Sequence, residues 1–262
     1  MYTRFTNMKK YIILFVGFIS MLSYNAMAQN VQLHYDLGHS IYNSTDPDGK
    51  DLSARPKVTT TTEMFKADKF GSTFFFIDLD FNDDAVCKDN RNVGAYWEIS
   101  RELNLWQNSS LSWLSAHFEY NGGSSLSTKF NNSWLVGPTY SGHSADFSKT
   151  WSLSLMYKYI PNTIGLDGGE QPHNFQITGV WGINFANGWC TFSGFLDFWK
   201  EARAWQNTEY ILLAEPQFWV NLNAAPSMRD FNLSIGGEVE VSNNFVGEGF
   251  YTIPTIGAKW TF

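Results

Sequence analysis

The last twelve residues, Tyr251 to Phe262, alternate with a period of two. Pro254, Ile256, Ala258, Trp260 and Phe262 share one face, and Thr255, Gly257 and Lys259 share the other. A helix repeats every 3.6 residues and cannot keep two such sets apart, so the segment reads as a strand with one apolar and one polar side. The same alternation runs through Trp151–Tyr159, Asn174–Phe185 and Phe231–Val241. A strand with lipid on one side and a wet interior on the other must read this way. A surface strand of a soluble sandwich alternates too, so the rest of the chain has to decide.

The amino-terminal end points across a membrane. Arg4, Lys9 and Lys10 precede an apolar run from Tyr11 to Leu22, followed by Ala26-Met27-Ala28. This pattern predicts a secretory signal peptide over residues 1–28, cleaved before Gln29. The run is shorter than the ~20 apolar residues a spanning helix needs, and no Cys follows it for lipid attachment. Taking three cations and no anion from a net charge of −7 leaves residues 29–262 near −10. So acidic a body argues against a nucleic-acid partner, which would need a basic stripe.

Composition then separates the two kinds of membrane protein. Aromatic residues make up 17% and charged residues 16%, yet mean hydropathy is mildly polar. The longest apolar clusters past the leader, such as Phe74–Ile77 and Ile211–Ala214, are far too short for a spanning helix. A barrel tolerates this composition, because half of each strand faces water and aromatic girdles mark the two interfaces. Cys87 falls in a polar loop and Cys190 on an apolar strand face, which argues against their pairing. Neither has the His/Cys spacing of a metal site or catalytic thiol.

These signals predict one all-β domain over residues 29–262, a transmembrane antiparallel up-and-down β-barrel of about 12 strands. The expected strands are Val31–His39, Lys57–Lys66, Ser72–Phe81, Val93–Glu102, Ser110–Tyr120, Ser133–Gly142, Thr150–Ile160, His173–Phe185, Trp189–Lys200, Glu209–Leu222, Asp230–Ser242 and Phe250–Phe262. Each is close to the ~9–11 residues a tilted strand needs to cross a bilayer. Long polar connections follow odd strands, for example Ser40–Pro56 and Pro161–Pro172, and tighter ones such as Asn187-Gly188 follow even strands. The asymmetry predicts an outer-membrane address in a Gram-negative bacterium, with long loops outside and both chain ends in the periplasm. The closing strand is then what the barrel assembly machinery would read, and outer-membrane lipid is the surrounding partner.

In this frame the inward residues include Asp36, Phe74, Phe76, Asp78, Asp80, Tyr96, Glu98, Asp197, Glu215, Trp219, Glu238 and Glu240. Rings can stack a flat or ring-shaped solute, and carboxylates accept hydrogen bonds from its hydroxyls or amines. The plain alternative is that inward rings fill space and inward acids pair with cations on facing strands. Phe74, Phe76, Asp78 and Asp80 stand out as consecutive inward positions on one strand.

The same strand carries a family likeness. Phe70-Gly71-Ser72-Thr73-Phe74-Phe75-Phe76-Ile77-Asp78 resembles the Gly-Asp-Asn-Phe-Phe-Phe-x-Asp signature of the nucleoside-specific channel-forming, Tsx-type outer-membrane proteins. Gly94-Ala95-Tyr96-Trp97-Glu98-Ile99-Ser100-Arg101 is similar to that family's Tyr-x-Glu strand and following Arg. Ser72-Thr73 stands where the family has Asp-Asn, and no Pro precedes Arg101. The resemblance implies a monomeric channel admitting nucleosides, with Phe74, Phe76, Asp78 and Glu98 as pore and substrate contacts.

Two other readings use different residues. Barrel phospholipases and lipid A deacylases need Ser and His, and the chain has His39-Ser40 and His143-Ser144. Neighbours on a strand point to opposite sides, so neither pair can act as nucleophile and base there. A protease of the omptin type would need paired acids with a His at the outer rim. Asp80 and Asp83-Asp84 offer acids without that His. A structural or adhesin barrel without transport is the third reading. The expectation is a non-enzymatic channel for passive diffusion of small solutes, most specifically nucleosides, needing no metal or cofactor. Its substrate-contacting and pore-lining residues would be Phe74, Phe76, Asp78, Asp80, Tyr96, Glu98, Asp197, Trp219 and Glu238.

Overall fold

The structure, a computed structural model, describes residues 28–81, 94–125, 131–203 and 207–262. Among the described residues, thirteen strands form one sheet. They are β1 (Ala28–Asp36), β2 (Val58–Asp68), β3 (Gly71–Phe81), β4 (Gly94–Leu103), β5 (Leu114–Ser125), β6 (Ser133–His143), β7 (Lys149–Tyr159), β8 (His173–Phe185), β9 (Cys190–Arg203), β10 (Thr208–Ala214), β11 (Gln217–Asn221), β12 (Leu233–Asn243) and β13 (Phe250–Thr261). β1 returns to pair antiparallel with β13, from Asn30↔Thr261 to Asp36↔Thr255. The seam closes the barrel, and a closed barrel satisfies its backbone without water.

β10 and β11 are two halves of one stave. Both lie between β9 and β12, where Ala214 pairs with Leu196 and Val241, and Gln217 with Ser193 and Glu238. The register therefore passes unchanged across Glu215-Pro216, where Pro216 has no N–H to give the ladder. Sequence alternation predicts an unbroken strand from Glu209 to Leu222, and the proline divides it. Counted as staves, the barrel has the expected twelve.

The two faces sort as membrane strands require. Along β7, Leu153 and Leu155 are 54% and 58% exposed, while Ser154 and Met156 between them keep 4% and 1%. Leu33, Tyr35, Ile99, Phe118, Trp134, Ile235 and Ile256 extend the exposed apolar face around the outside. Gln32, His34, Asn121, Lys158, Gln176 and Glu240 are buried within. This inverts a soluble core, which hides apolar side chains and exposes charges.

Three further boundaries depart from expectation. β1 stops at Asp36 rather than running to His39, and Gly38–Ile41 make one helical turn, α1. Asp36 causes the turn, because its Oδ1 accepts the Gly38 N–H at 2.5 Å. A side chain at Gly38 would meet Ile253 Cγ2 at 2.7 Å, so only glycine lets the chain bend so close to β13. β5 begins at Leu114 instead of Ser110. The preceding residues coil on themselves, with the Trp106 indole donating to Leu114 O (2.8 Å) and the Trp113 indole to Ser110 O (2.9 Å). The connection from β11 to β12 is also longer than a tight link, with short helical turns at Leu222–Ala224 and Pro226–Met228. The Asn187-Gly188 turn joins β8 to β9, at φ of 55° and 87°, a left-handed geometry that suits these two residues. The expected leader, residues 1–28, lies outside the described residues except for Ala28, and so does Cys87. Cys190 is a half-buried free thiol.

Candidate functional site in the barrel lumen

Pairing parity carries one face around the whole barrel. Starting from buried His34 and Gln32 on β1, the partners Thr59 and Thr61 of β2 lead to Asp80 and Asp78 of β3, and these to Gly94 and Tyr96 of β4. Followed onward, the same rule puts Phe74, Phe76, Asp78, Asp80, Tyr96, Glu98, Asp197, Trp219 and Glu238 all on the inner face. Asp36, Glu215 and Glu240 join them there. They do not form one cluster, and the lumen divides into three regions.

The first is the wall of β3 and β4. Phe74 and Phe76 have ring centroids 6.0 Å apart, and Phe76 and Tyr96 5.9 Å. These three rings form a ladder across two strands. Asp78 accepts the Thr61 hydroxyl at 2.5 Å, Asp80 accepts Thr59 at 2.7 Å, and Glu98 accepts Tyr96 at 2.6 Å. The inner residues of β3 are half-buried, so part of their surface stays accessible inside the barrel.

The second region, over β11, β12, β13, β1 and β2, is closed by hydrogen bonds. The Trp219 indole donates to Gln217 (3.0 Å), whose amide donates to Glu238 (3.1 Å). His34 bonds Thr255 and Gln32, Gln32 donates to Asn30, and Asn30 donates to Glu63, each at 2.8–2.9 Å. Lys259 places its ammonium 4.4 Å from the centroid of the Trp219 ring. Trp219 is fully buried, so this indole is a packed strut of the wall.

A strap from the β1–β2 connection lies over one end of this wall. Arg55 Nε reaches Asp36 and its Nη2 reaches Glu240, both at 2.7 Å. Burial opposes the Arg55 charge, but Glu240 and Asp36 outweigh it and hold the guanidinium above the usual arginine range. Farther along the strap, Lys50 donates to Phe250 O (2.7 Å) and sits over the Tyr42 and Tyr251 rings, while Tyr42 Oη accepts the Thr252 N–H at 3.0 Å. The strap is thereby tied to β1, β12 and β13.

The third region spans β4 to β9. Lys158 donates to Gln176 at 2.7 Å and lies 4.7 Å from the Trp199 ring centroid. Glu98, Glu119, Asp197 and Glu201 surround it within electrostatic reach. Near the start of β5, His117 is held between Glu102 (2.5 Å) and Glu119 (3.1 Å), with Ser115 and Thr139 also donating to Glu102.

Several of these residues escaped the reading of the sequence. Lys158 alternates with the outward Leu155, Tyr157 and Tyr159, so its inward position was in the pattern, but its isolation among acids needs the barrel closed. Arg55 had no signal at all, since it lies in a connection. The Ser-His pairs make no catalytic arrangement. Ser144 Oγ donates to Asp146 (2.6 Å), whereas the His143 ring stacks on Phe147 at 3.9 Å. His39 packs edge-on against Tyr35.

A family model described as Domain of unknown function (DUF5020) matches residues 28–262. The chain belongs to this family. Among curated proteins none matches the chain in sequence. Among solved structures, the NanC porin aligns with 90% of this chain and 100% of that one, with a TM-score of 0.55 and 10% identity. The outer membrane channel DcaP of Acinetobacter baumannii aligns with 92% of this chain and 72% of its own, with a TM-score of 0.37 and 12% identity. The NanC likeness supports the barrel fold alone, and the DcaP alignment is too loose to add to it. The DUF5020 description specifies no solute, so the question of what passes falls to the chemistry of the lumen.

Proposed function

We propose that this DUF5020 chain is an outer-membrane channel for passive diffusion of small solutes, with nucleosides the best-suited class. One observation carries the reading. A half-buried ladder of rings, Phe74, Phe76 and Tyr96, lies beside Asp78, Asp80 and Glu98 on the inner wall of a barrel whose outside is apolar. A nucleobase can stack on such rings while ribose hydroxyls donate to the carboxylates. Each contact is weak, and a ladder of weak sites lets a solute enter and leave. The resemblance of residues 70–101 to nucleoside-specific channels favours the same class. In this reading the ends joined by the long connections face outward, the chain works as a monomer, and β13 is the strand presented to the assembly machinery.

Liposome swelling tests the proposal. Vesicles containing the protein are expected to swell faster in adenosine or uridine than in a neutral disaccharide of larger cross-section. Phe74→Ala with Phe76→Ala is expected to reduce that preference. Equal rates for vesicles with and without protein would defeat the channel reading, and equal rates for all solutes would defeat the nucleoside preference. One feature favours a barrel that does not conduct: the inward Trp219, Ile211, Ile253 and Ser242 are fully buried, so one side of the lumen is filled. The swelling assay separates the two.

A further inference from the structure

The outer wall of the barrel is not evenly convex. A groove of about 360 Å³ opens on it across β5 to β8, lined by Leu114, Pro138, Tyr140, Leu153, Leu155 and Ile177. The register shows how it arises. Leu114, Tyr140, Leu153 and Gly179 stand opposite one another in one outward row, and the next row holds Ala116 and Pro138 on one side and Leu155 and Ile177 on the other. Ala116, Pro138 and Gly179 are the short members of these rows, so longer side chains rise around a low floor. The β6–β7 ladder also skips at this point, pairing Val136 with Tyr157 and resuming only at Thr139↔Ser154. Pro138 has no N–H to give it, and a Cβ on Gly137 would collide with Leu155 O.

The lining leaves almost nothing for a polar ligand. Of its two hydroxyl-bearing residues, Ser154 bonds Thr139 on the lumen side at 2.7 Å, and Tyr140 packs at the turn end, its ring centroid 5.6 Å from that of Trp113. The remainder is hydrocarbon, so what fills the groove favourably is a hydrocarbon chain. The turn end carries the marks of a membrane interface. Trp113 and Trp151 are exposed beside Tyr140, and Leu105 and Leu111 project from the connection between β4 and β5. Such Trp and Tyr residues sit at headgroup level, with apolar rings toward the chains. Exposed Lys149 continues the outward line of β7 one position past Trp151, at the level where lipid phosphates lie.

We infer that this groove seats one acyl chain of an anionic phospholipid, with the phosphate at Lys149 and the chain passing Tyr140 to lie over Pro138. The occupant must be anionic at Lys149 and wholly apolar beyond the girdle, and a phospholipid presents both in that order. The groove is also continuous with the exposed apolar band around the barrel, so lipid is the neighbour it meets. The inference rests on the chain being a membrane barrel, and it needs no conduction.

Photolabelling tests the groove. The full-length barrel is placed in vesicles of phosphatidylethanolamine and phosphatidylglycerol, doped with a phosphatidylglycerol carrying a diazirine in one acyl chain, and labelled residues are mapped by peptide mass spectrometry. Label is expected to be several-fold richer on Leu114, Tyr140 and Leu155 than on Leu33, Ile235 and Ile256, exposed apolar residues of β1, β12 and β13. A Cβ at Gly179 would meet nothing within 4 Å, so Gly179→Phe can fill the groove and is expected to bring its label down to the level of those staves. Lys149→Glu leaves the groove open and is expected to lower the enrichment several-fold. Label spread evenly over the outer staves, or enrichment unmoved by Gly179→Phe, would overturn the groove and leave the membrane barrel standing. No label on any stave would overturn the membrane reading with it. Enrichment abolished by competing oleate but not by unlabelled phosphatidylglycerol would overturn phospholipid as the occupant. Enrichment without solute-dependent swelling would remove the channel and keep the groove.

Discussion

Two parts of the lumen carry similar amounts of acid and treat it in opposite ways. At the strap, Asp36 and Glu240 keep only 8% and 7% of their side-chain surface, and one guanidinium answers both at 2.7 Å. Around Lys158, Glu98 and Asp197 have hydroxyl partners but, among the described residues, no cation in contact, and three buried acceptors have no partner there. A buried charge that is paired on all sides holds structure together. Acidity of a lumen is therefore a poor guide to function until each carboxylate has been followed to its partner.

The largest expected effect breaks the paired side. Arg55→Met strands two carboxylates at once, and removing one member of such a buried pair costs about 3 kcal/mol or more. The urea midpoint of the detergent-solubilised barrel is expected to fall accordingly, and conductance to rise as the strap loosens. An unchanged midpoint would mean the strap is ornament. Next comes the ring ladder, where Phe74→Ala with Phe76→Ala removes two stacking partners worth about 0.5–1.5 kcal/mol each. Adenosine is then expected to bind roughly tenfold more weakly or worse in a fluorescence titration.

The unpaired side is expected to respond with the opposite sign. Asn121→Leu removes an orphaned acceptor, so stability holds or rises by about 1 kcal/mol. A loss of several kcal/mol in the same urea assay would show that this amide is structural and would erase the contrast. The smallest effect lies outside the lumen, in the turn between β6 and β7. The hydroxyls of Ser144 and Ser148 and the Ser148 N–H hold the Asp146 carboxyl at about 2. Because this lies below the value in an unfolded chain, near 4, the carboxylate's hold on the turn is complete above that pH and is lost as pH falls through about 2. A carbon-detected NMR titration of Asp146 reads it directly, and a midpoint near 4 would contradict the hydrogen-bonded turn.

Much of the barrel was legible because the side-chain period of a strand is local. Leu153, Ser154, Leu155 and Met156 announce their faces from four consecutive letters, and the seam strand Phe250–Thr261 does the same. What escaped depends on residues far apart in the chain. β1 ends early because Asp36 turns back to hold Gly38 and Arg55, and nothing near His39 signals this. β5 starts late because the indoles of Trp106 and Trp113 bond their own backbone, although both rings read as strand-forming. Pro216 was visible as a proline, but its neighbours continue the alternation on either side, so the stave keeps its register through the break. At the site, the frame placed side chains on a face, whereas pairing across staves decides which acids are spent. Lys158 belongs on that inner face by alternation, and only the closed barrel shows that the four described carboxylates acting on it are not in contact with it.

The central claim is that a solute can cross through this lumen and meet the β3–β4 ladder on the way. Planar-bilayer recording with the purified protein tests it most directly. The account predicts stepwise, cation-preferring conductance that falls when adenosine is added and recovers when Phe74 and Phe76 are both replaced by alanine. A barrel that inserts and passes no current, or a current indifferent to adenosine and selective for anions, would contradict it.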